Sequence, residues 1–386
     1  MNHKEYFHHP TICPLPWAGF YFDPNGDIRN CSISKKILGN INNTPIEEIL
    51  NSVGNHTIKE GMLSEIKVDE CNNCWTFEET ESSSSGISGS NRAHFKTKLS
   101  SKIIKIIKDP TAFSLRQVDL RWRNTCNLAC VYCGSDLSST WAKELNINVT
   151  VNEDALARFK EYIFSNIEQL EYVYLCGGEP LLMKENIEFI SLIKEKNPNI
   201  YIRVNTNLTN INSPIYKELL ECTNVHWIIS VESTAEYFEF IRYGAKWTTW
   251  INNLKQLAND TKNTEHKITF NMVWFSLSAF SIFDAIDQFI ELGFGTNSFF
   301  VQPLQDPSYL HINLLDYNTR LILADTIHQR LNLLSVTDWL YTSYSTMLSH
   351  LDIVPAPPRN APLKNYLLEL DNRRSTNGVD LFSHLL

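Results

Sequence analysis

The sequence predicts an α/β fold: a partial (β/α)6 barrel of TIM-like type, preceded by a small cysteine-rich β-hairpin domain and followed by C-terminal helices. Three observations predict it. From about residue 115, strand and helix patterns alternate six times within roughly 200 residues, and repeated βα units imply a parallel sheet. The distinctive motifs each follow a strand, the end at which such barrels carry their chemistry. The nine cysteines include two close groups, Cys13, Cys31, Cys71 and Cys74, then Cys126, Cys130 and Cys133.

The elements follow in order. "CPLPWAGFYFDPNGDIRNC" (13–31) reads as a hairpin, with "FYFD" and "IRNC" as short strands about the turn signal "DPNG". "ESSSSGISGSN" (81–91) reads as a flexible connection. The expected domains are therefore 1–95, 110–310 and 311–386. The six strands are "RQVDLRW" (116–122), "EYVYLC" (171–176), "IYIRVNTN" (200–207), "VHWIISVES" (225–233), "HKITFNMVWFS" (266–276) and "SFFVQPL" (298–304). Between them lie helical patterns. The first opens on acidic residues at 153–154, which suits the positive end of a helix dipole. Past residue 312 the pattern is helical, broken at the Pro-rich "VPAPPRNAP", and the helix "DYNTRLILADTIHQRL" is placed to cap the barrel mouth.

Composition narrows the function. With 43% hydrophobic and 20% charged residues the chain reads as soluble and globular. The net charge is −9 and no basic run marks a nucleic-acid face. "SKIIKIIKD" (101–109) reads as a helix with one solvated face. No stretch is long and apolar enough to span a bilayer or direct secretion, so no membrane partner and a reducing cytoplasm are expected. There, close cysteines point to metal or catalysis rather than disulfides.

"CNLACVYC" supplies three thiolates, Cys126, Cys130 and Cys133. A structural zinc wants four ligands, whereas three thiolates on a four-iron cubane leave one iron open. The earlier four cysteines form a closed set, and from spacing alone either a zinc ribbon or a 4Fe–4S cluster fits. Cys176 and Cys222 read as buried small hydrophobes.

"CNLACVYC", with an aromatic before its third cysteine and "GGEP" one βα unit later, resembles the radical S-adenosylmethionine superfamily over about 113–307. The resemblance implies that Cys126, Cys130 and Cys133 bind a 4Fe–4S cluster whose fourth iron chelates S-adenosylmethionine. Reductive cleavage then yields a 5′-deoxyadenosyl radical that abstracts hydrogen from a substrate. It further implies a cofactor site. Gly177 and Gly178 allow backbone close to the ligand, and Glu179 of the same Gly-Gly-Glu-Pro180 box accepts from the methionine ammonium. Tyr132 packs near adenine, Thr206 and Asn207 face the cofactor, and Ser230 and Glu232 meet ribose hydroxyls. Arg242 pairs with the cofactor carboxylate, a surface salt bridge being the alternative. The first cysteine group, with "CPLPW" and "PNGDIRNC", resembles the twitch or SPASM auxiliary-cluster domain. Here it precedes the barrel, as in a subgroup that also carries "SSTW" (138–141). This favours a second, auxiliary 4Fe–4S cluster over zinc.

The implied function is an oxidoreductase-type radical enzyme, reduced by a donor such as flavodoxin or ferredoxin, that oxidises or cross-links its substrate. With no stretch suited to a leader-binding winged helix, a small polar metabolite is expected ahead of a ribosomal peptide. A metal-stabilised binding protein without turnover is the reading from another class.

Overall fold

The computed structural model of the chain describes residues 2–81, 90–99, 102–149, 152–355 and 359–386. Its strands are β1 (Gly19–Phe22), β2 (Asp27–Arg29), β3 (Gly39–Asn40), β4 (Gln117–Leu120), β5 (Tyr172–Leu175), β6 (Tyr201–Thr206), β7 (Asn224–Ser230), β8 (Lys267–Trp274) and β9 (Phe299–Pro303). They form one nine-stranded sheet in the order β3-β2-β1-β4-β5-β6-β7-β8-β9. The six expected barrel strands are β4 to β9, each parallel to the next.

Helices Glu153–Ser165, Glu185–Lys196, Pro214–Leu220, Trp247–Thr261 and Ser281–Glu291 make the five crossovers. Their starts are written locally. The Asn152 side chain accepts from the amides of Asp154 and Ala155, and Ser213 accepts from Tyr216 with Pro214 in the first turn. Val118, Leu120, Val173, Leu175, Ile202 and Val204 share one core with Phe159, Phe189, Leu219 and Trp250 of those helices. That face of the sheet is the helix side. Alternate residues therefore point to the inner face, so Asp119 and Asn271, opposite that core, face inward together with Gln302.

The hairpin is not a separate unit. β1 pairs with β2 as expected, but on its other edge it runs parallel to β4, with Tyr21 opposite Asp119. It is thus a seventh parallel strand of the barrel sheet. Phe20 and Phe22 pack on Phe159 at centroid distances of 5.6 and 4.3 Å, in the barrel's core. Burying each contributes about 1.5–3 kcal/mol, which favours docking β1 over leaving a free two-stranded ribbon. The apolar run "AGFYF", with every residue of β1 buried, is what a strand covered on both faces requires.

Direction follows from this pairing. Cys13 precedes β1, and Cys31 follows the antiparallel β2, so both lie at the N-terminal end of the parallel strands. The loop with Cys126 follows β4 and lies at the C-terminal end. The N-terminal end is closed by the helix Asn91–Lys98. Its His94 and Phe95 meet the Tyr172 ring edge-on at 5.8 and 5.0 Å.

The serine-rich connection expected at 81–91 lies largely outside the described residues, as does part of the Pro-rich break. The basic stretch forms a helix, Lys102–Ile106, that buries Ile103 and Ile104 and leaves Lys102 exposed. Among the described residues no helix is long and apolar enough to cross a membrane.

Candidate functional site

The cysteine loop is pinned from four directions. Ser138 caps the helix Ser139–Glu144 and donates to the Leu128 carbonyl at 2.6 Å. The Ser139 hydroxyl accepts from the Cys126 amide and donates to its carbonyl, both at 3.0 Å, and Trp141 Nε1 donates to the Cys130 carbonyl at 2.8 Å. "SSTW" is therefore the clamp of the loop. From the second side, the amides of Ala129 and Val131 donate to the carbonyls of Tyr243 and Ile241, each at 2.9 Å. From the third, the Glu179 amide donates to the Thr125 carbonyl at 2.7 Å. From the fourth, Tyr366 Oη donates to the Val131 carbonyl at 2.6 Å. Tyr366 belongs to the helix Ala361–Arg374, so this helix braces the loop. The helix Tyr317–Leu331 ties Arg330 to Asp287 of the last crossover helix at 2.6 Å.

The two glycines of the Gly-Gly-Glu-Pro box serve the chain itself. Gly177 has φ of +105°, and a Cβ there would lie 2.7 Å from Arg121 Cβ. A Cβ on Gly178 would lie 2.2 Å from the Thr125 carbonyl oxygen, one residue before the first cysteine. Gly178 thus lets the turn approach the base of the cysteine loop. Pro180 opens a buried 3-10 turn. Glu179 is buried, accepting at Oε1 from Thr206 Oγ1 (2.6 Å) and Leu181 N (3.0 Å) and at Oε2 from Asn207 N (2.7 Å). Burial pushes its carboxyl up to about 7, against those hydrogen bonds. Oε1 has both lone pairs engaged, and Oε2 keeps one for a further donor.

Asn207 points its Nδ2 at Cys126 Sγ, 3.9 Å away. Arg242 does the same for Cys130, with Nη1 3.9 Å from Sγ. This arginine is not a surface residue. It is 3% exposed and grips Glu232 with two bonds, Nε to Oε2 at 2.7 Å and Nη2 to Oε1 at 2.5 Å. Tyr132 Oη joins them, donating to Glu232 Oε1 and accepting from Arg242 Nη2, both at 2.7 Å. Its ring meets Phe275 edge-on at 5.4 Å. Glu232 and Arg242, expected separately at ribose and cofactor carboxylate, thus engage each other. Ser230 donates to Asn205 Oδ1 at 3.3 Å.

Burial raises the three thiols, Cys126 to about 12, and the Arg242 charge pulls each of them back only in part. At the other end Cys13, Cys31, Cys71 and Cys74 line one cavity with Leu15, Ile33 and Met62. There burial lifts Cys31 to about 11 and Cys71 to about 12, and neighbouring thiols add to the rise at Cys13, Cys31 and Cys71.

Two segments match known family models. Residues 122–275 match the radical SAM superfamily, and residues 13–75 match the SPASM iron–sulfur cluster-binding domain. The chain carries a radical SAM domain behind a SPASM domain. Among solved structures, native anSMEcpe with bound AdoMet is similar over 56% of this chain and 61% of that chain, at 18% identity and TM-score 0.40. Streptococcus suis SuiB bound to precursor peptide SuiA is similar over 75% of this chain and 62% of that chain, at 17% identity and TM-score 0.42. This chain thus spans about three fifths of the length of each of these structures. No curated protein matches it.

A radical SAM domain uses a 4Fe–4S cluster with S-adenosylmethionine, and a SPASM domain binds auxiliary iron–sulfur. The residues present fit both. Buried thiols ionise only beside strong positive charge, which iron supplies and one arginine does not. Among the described residues no three His, Cys, Asp or Glu side chains converge on a single ion. Three thiols at one end and four at the other are the all-sulfur donor sets that iron–sulfur clusters take. Cys222 packs in the core as expected, but Cys176 lies on the inner face, its thiol donating to Asp119 Oδ1 at 3.0 Å.

Proposed function

We propose that this radical SAM chain abstracts hydrogen from a polypeptide substrate and oxidises or cross-links it. The observation that carries the reading is the pair of cysteine sets at opposite ends of one barrel, three thiols at the C-terminal end and four at the other. Cys126, Cys130 and Cys133 hold the first cluster; Cys13, Cys31, Cys71 and Cys74 hold the auxiliary one. Bound together, the first cluster and S-adenosylmethionine supply reductive cleavage of the sulfonium, with electrons from a flavodoxin- or ferredoxin-type donor in the cytoplasm.

The chain's own residues position and tune. Asn207 and Arg242 aim N–H groups at two of the ligating sulfurs, which draws charge from them and raises the reduction potential. Glu232 and Tyr132 hold the Arg242 fork in that orientation. Gly177, Gly178 and Pro180 set the turn, and Glu179, braced by Thr206, offers the remaining lone pair of Oε2 to an ammonium. Ser230 offers its hydroxyl at the rim to ribose. Four thiolates would leave no open iron at the auxiliary site, which would suit it to accept an electron from a substrate radical.

A polypeptide is preferred to the small metabolite because β9, the last strand of a sheet that does not close on itself, presents an apolar side chain that an extended chain could cover. There Phe300, an inner-face residue, is 43% exposed beside exposed Gln302. The test is anaerobic reconstitution with dithionite and S-adenosylmethionine. We expect about eight irons per chain, about half lost in Cys126→Ala, and release of 5′-deoxyadenosine. A loaded chain that releases none, or a Cys126→Ala variant with full iron, sinks the enzyme reading in favour of a binding protein. Mass spectrometry of a short peptide encoded beside the gene and co-expressed with the enzyme tests the substrate class. A two-hydrogen mass loss is expected; an unmodified peptide argues for the small metabolite.

A further inference from the structure

The inner face of the barrel carries charge that the cofactor site does not use. Strand register places Tyr21, Asp119, Tyr174, Arg203, His226 and Lys267 in one row across β1 and β4–β8. Asp119 is already engaged, by Arg121 Nε at 3.3 Å and by the Cys176 thiol at 3.0 Å. Arg203 has no carboxylate among the described residues. Its Nη1 donates to Tyr172 Oη at 2.8 Å, its guanidinium lies 5.1 Å from the Tyr174 ring centroid, and its buried Nε has no partner. The neighbours add no negative charge. His226 is held between Tyr201 Oη at 2.9 Å and Thr269 Oγ1 at 2.8 Å. Burial first, and the Arg203 charge next, push His226 down to about 3 and His94 down to about 4, so both stay neutral.

A half-buried guanidinium without an anion is costly, and its planar fork matches a carboxylate with two parallel bonds. We infer that Arg203 anchors a carboxylate of the substrate inside the barrel, between the tyrosines that close its floor and the cofactor rim above. Calling the ligand the substrate rests on the radical-enzyme reading; the anion site itself does not. Arg203 lies four residues before Asn207, about 13 Å along the strand at 3.3 Å per residue. The reacting carbon then sits several bonds from the carboxylate, a span that an acidic side chain, a chain-terminal carboxylate or a free dicarboxylic acid can cover.

The cofactor-loaded chain is titrated calorimetrically with three probes, N-acetyl-glutamate α-methylamide, N-acetyl-alanine and glutarate, each against its carboxamide. At least one carboxylate is expected to bind tenfold or more tighter than its amide, and the winning probe names the source. Arg203→Gln should abolish that preference and Arg203→Lys retain part of it, with iron content and melting temperature unchanged. Equal binding of every acid and amide by the wild-type chain overturns the inference, as does a preference that survives in Arg203→Gln. Should Arg203→Gln not fold, the wild-type preference and Arg203→Lys still decide. 5′-deoxyadenosine release is measured on the same preparation. Its absence, with the carboxylate preference intact, fails the radical reading and leaves the anion site standing.

Discussion

Gly178→Ala is the most direct probe of how the Gly-Gly-Glu-Pro turn serves the cysteine loop. The added methyl would stand 2.2 Å from the Thr125 carbonyl oxygen and 2.8 Å from its carbon. Reaching even 3.0 Å requires a shift of about 0.8 Å, and the obstacle is backbone, which cannot swing aside as a side chain does. That carbonyl also accepts the Glu179 amide at 2.7 Å, so the shift breaks a buried hydrogen bond or drags Cys126 with it. Overpacking of this kind costs about 1–3 kcal/mol, with about 1 kcal/mol more for the lost bond. The auxiliary cavity, at the other end of the barrel, is untouched. After reconstitution the variant should hold about four irons rather than about eight, lose 5′-deoxyadenosine formation, and melt several degrees lower. Iron analysis and an anaerobic absorbance spectrum measure this. Full iron content with unchanged melting would refute the argument that Gly178 exists to let the loop approach.

Further outcomes follow from the same geometry. Glu232→Gln or Arg242→Met leaves one buried charge unpaired and should cost about 3–5 kcal/mol in urea unfolding, while the double substitution costs less than the two together; strict additivity would mean the pair is not coupled. Ser138→Ala removes a helix cap and the bond to Leu128, a loss of about 1–2 kcal/mol with auxiliary iron retained; an unchanged melting temperature would remove "SSTW" as the clamp. Glu179 is raised from 4.5 to about 7, so between those values the folded chain holds a proton the unfolded chain has released. The stability this proton provides is complete below pH 4.5 and gone above 7. Without S-adenosylmethionine, the chain should therefore lose about 2–3 kcal/mol between pH 5 and 8 relative to Glu179→Gln; a difference that grows with pH would reverse the sign and refute the assignment.

Much of this protein is legible in the chain because its signals are local. A strand shows itself by a few residues and a helix by its cap, so the six βα units and their order needed no partner information. The Cys-x3-Cys-x2-Cys and Gly-Gly-Glu-Pro motifs are likewise short, and the count of three thiols against four separates an open cluster from a closed one. What remained hidden depends on residues far apart. "FYFD" states that a strand exists but not that its free edge meets β4, which is set by Phe20 and Phe22 finding Phe159 across more than a hundred residues. That pairing alone puts the two cysteine sets at opposite ends. Arg242 beside Glu232 is ten residues of sequence but one buried bidentate contact, and no spacing rule distinguishes it from a surface ion pair. Asp119 and Arg203 illustrate the sharpest limit. Their place on the inner face depends on register, where a slip of one residue reverses every side chain, and only the assembled sheet shows which guanidinium is left without an anion.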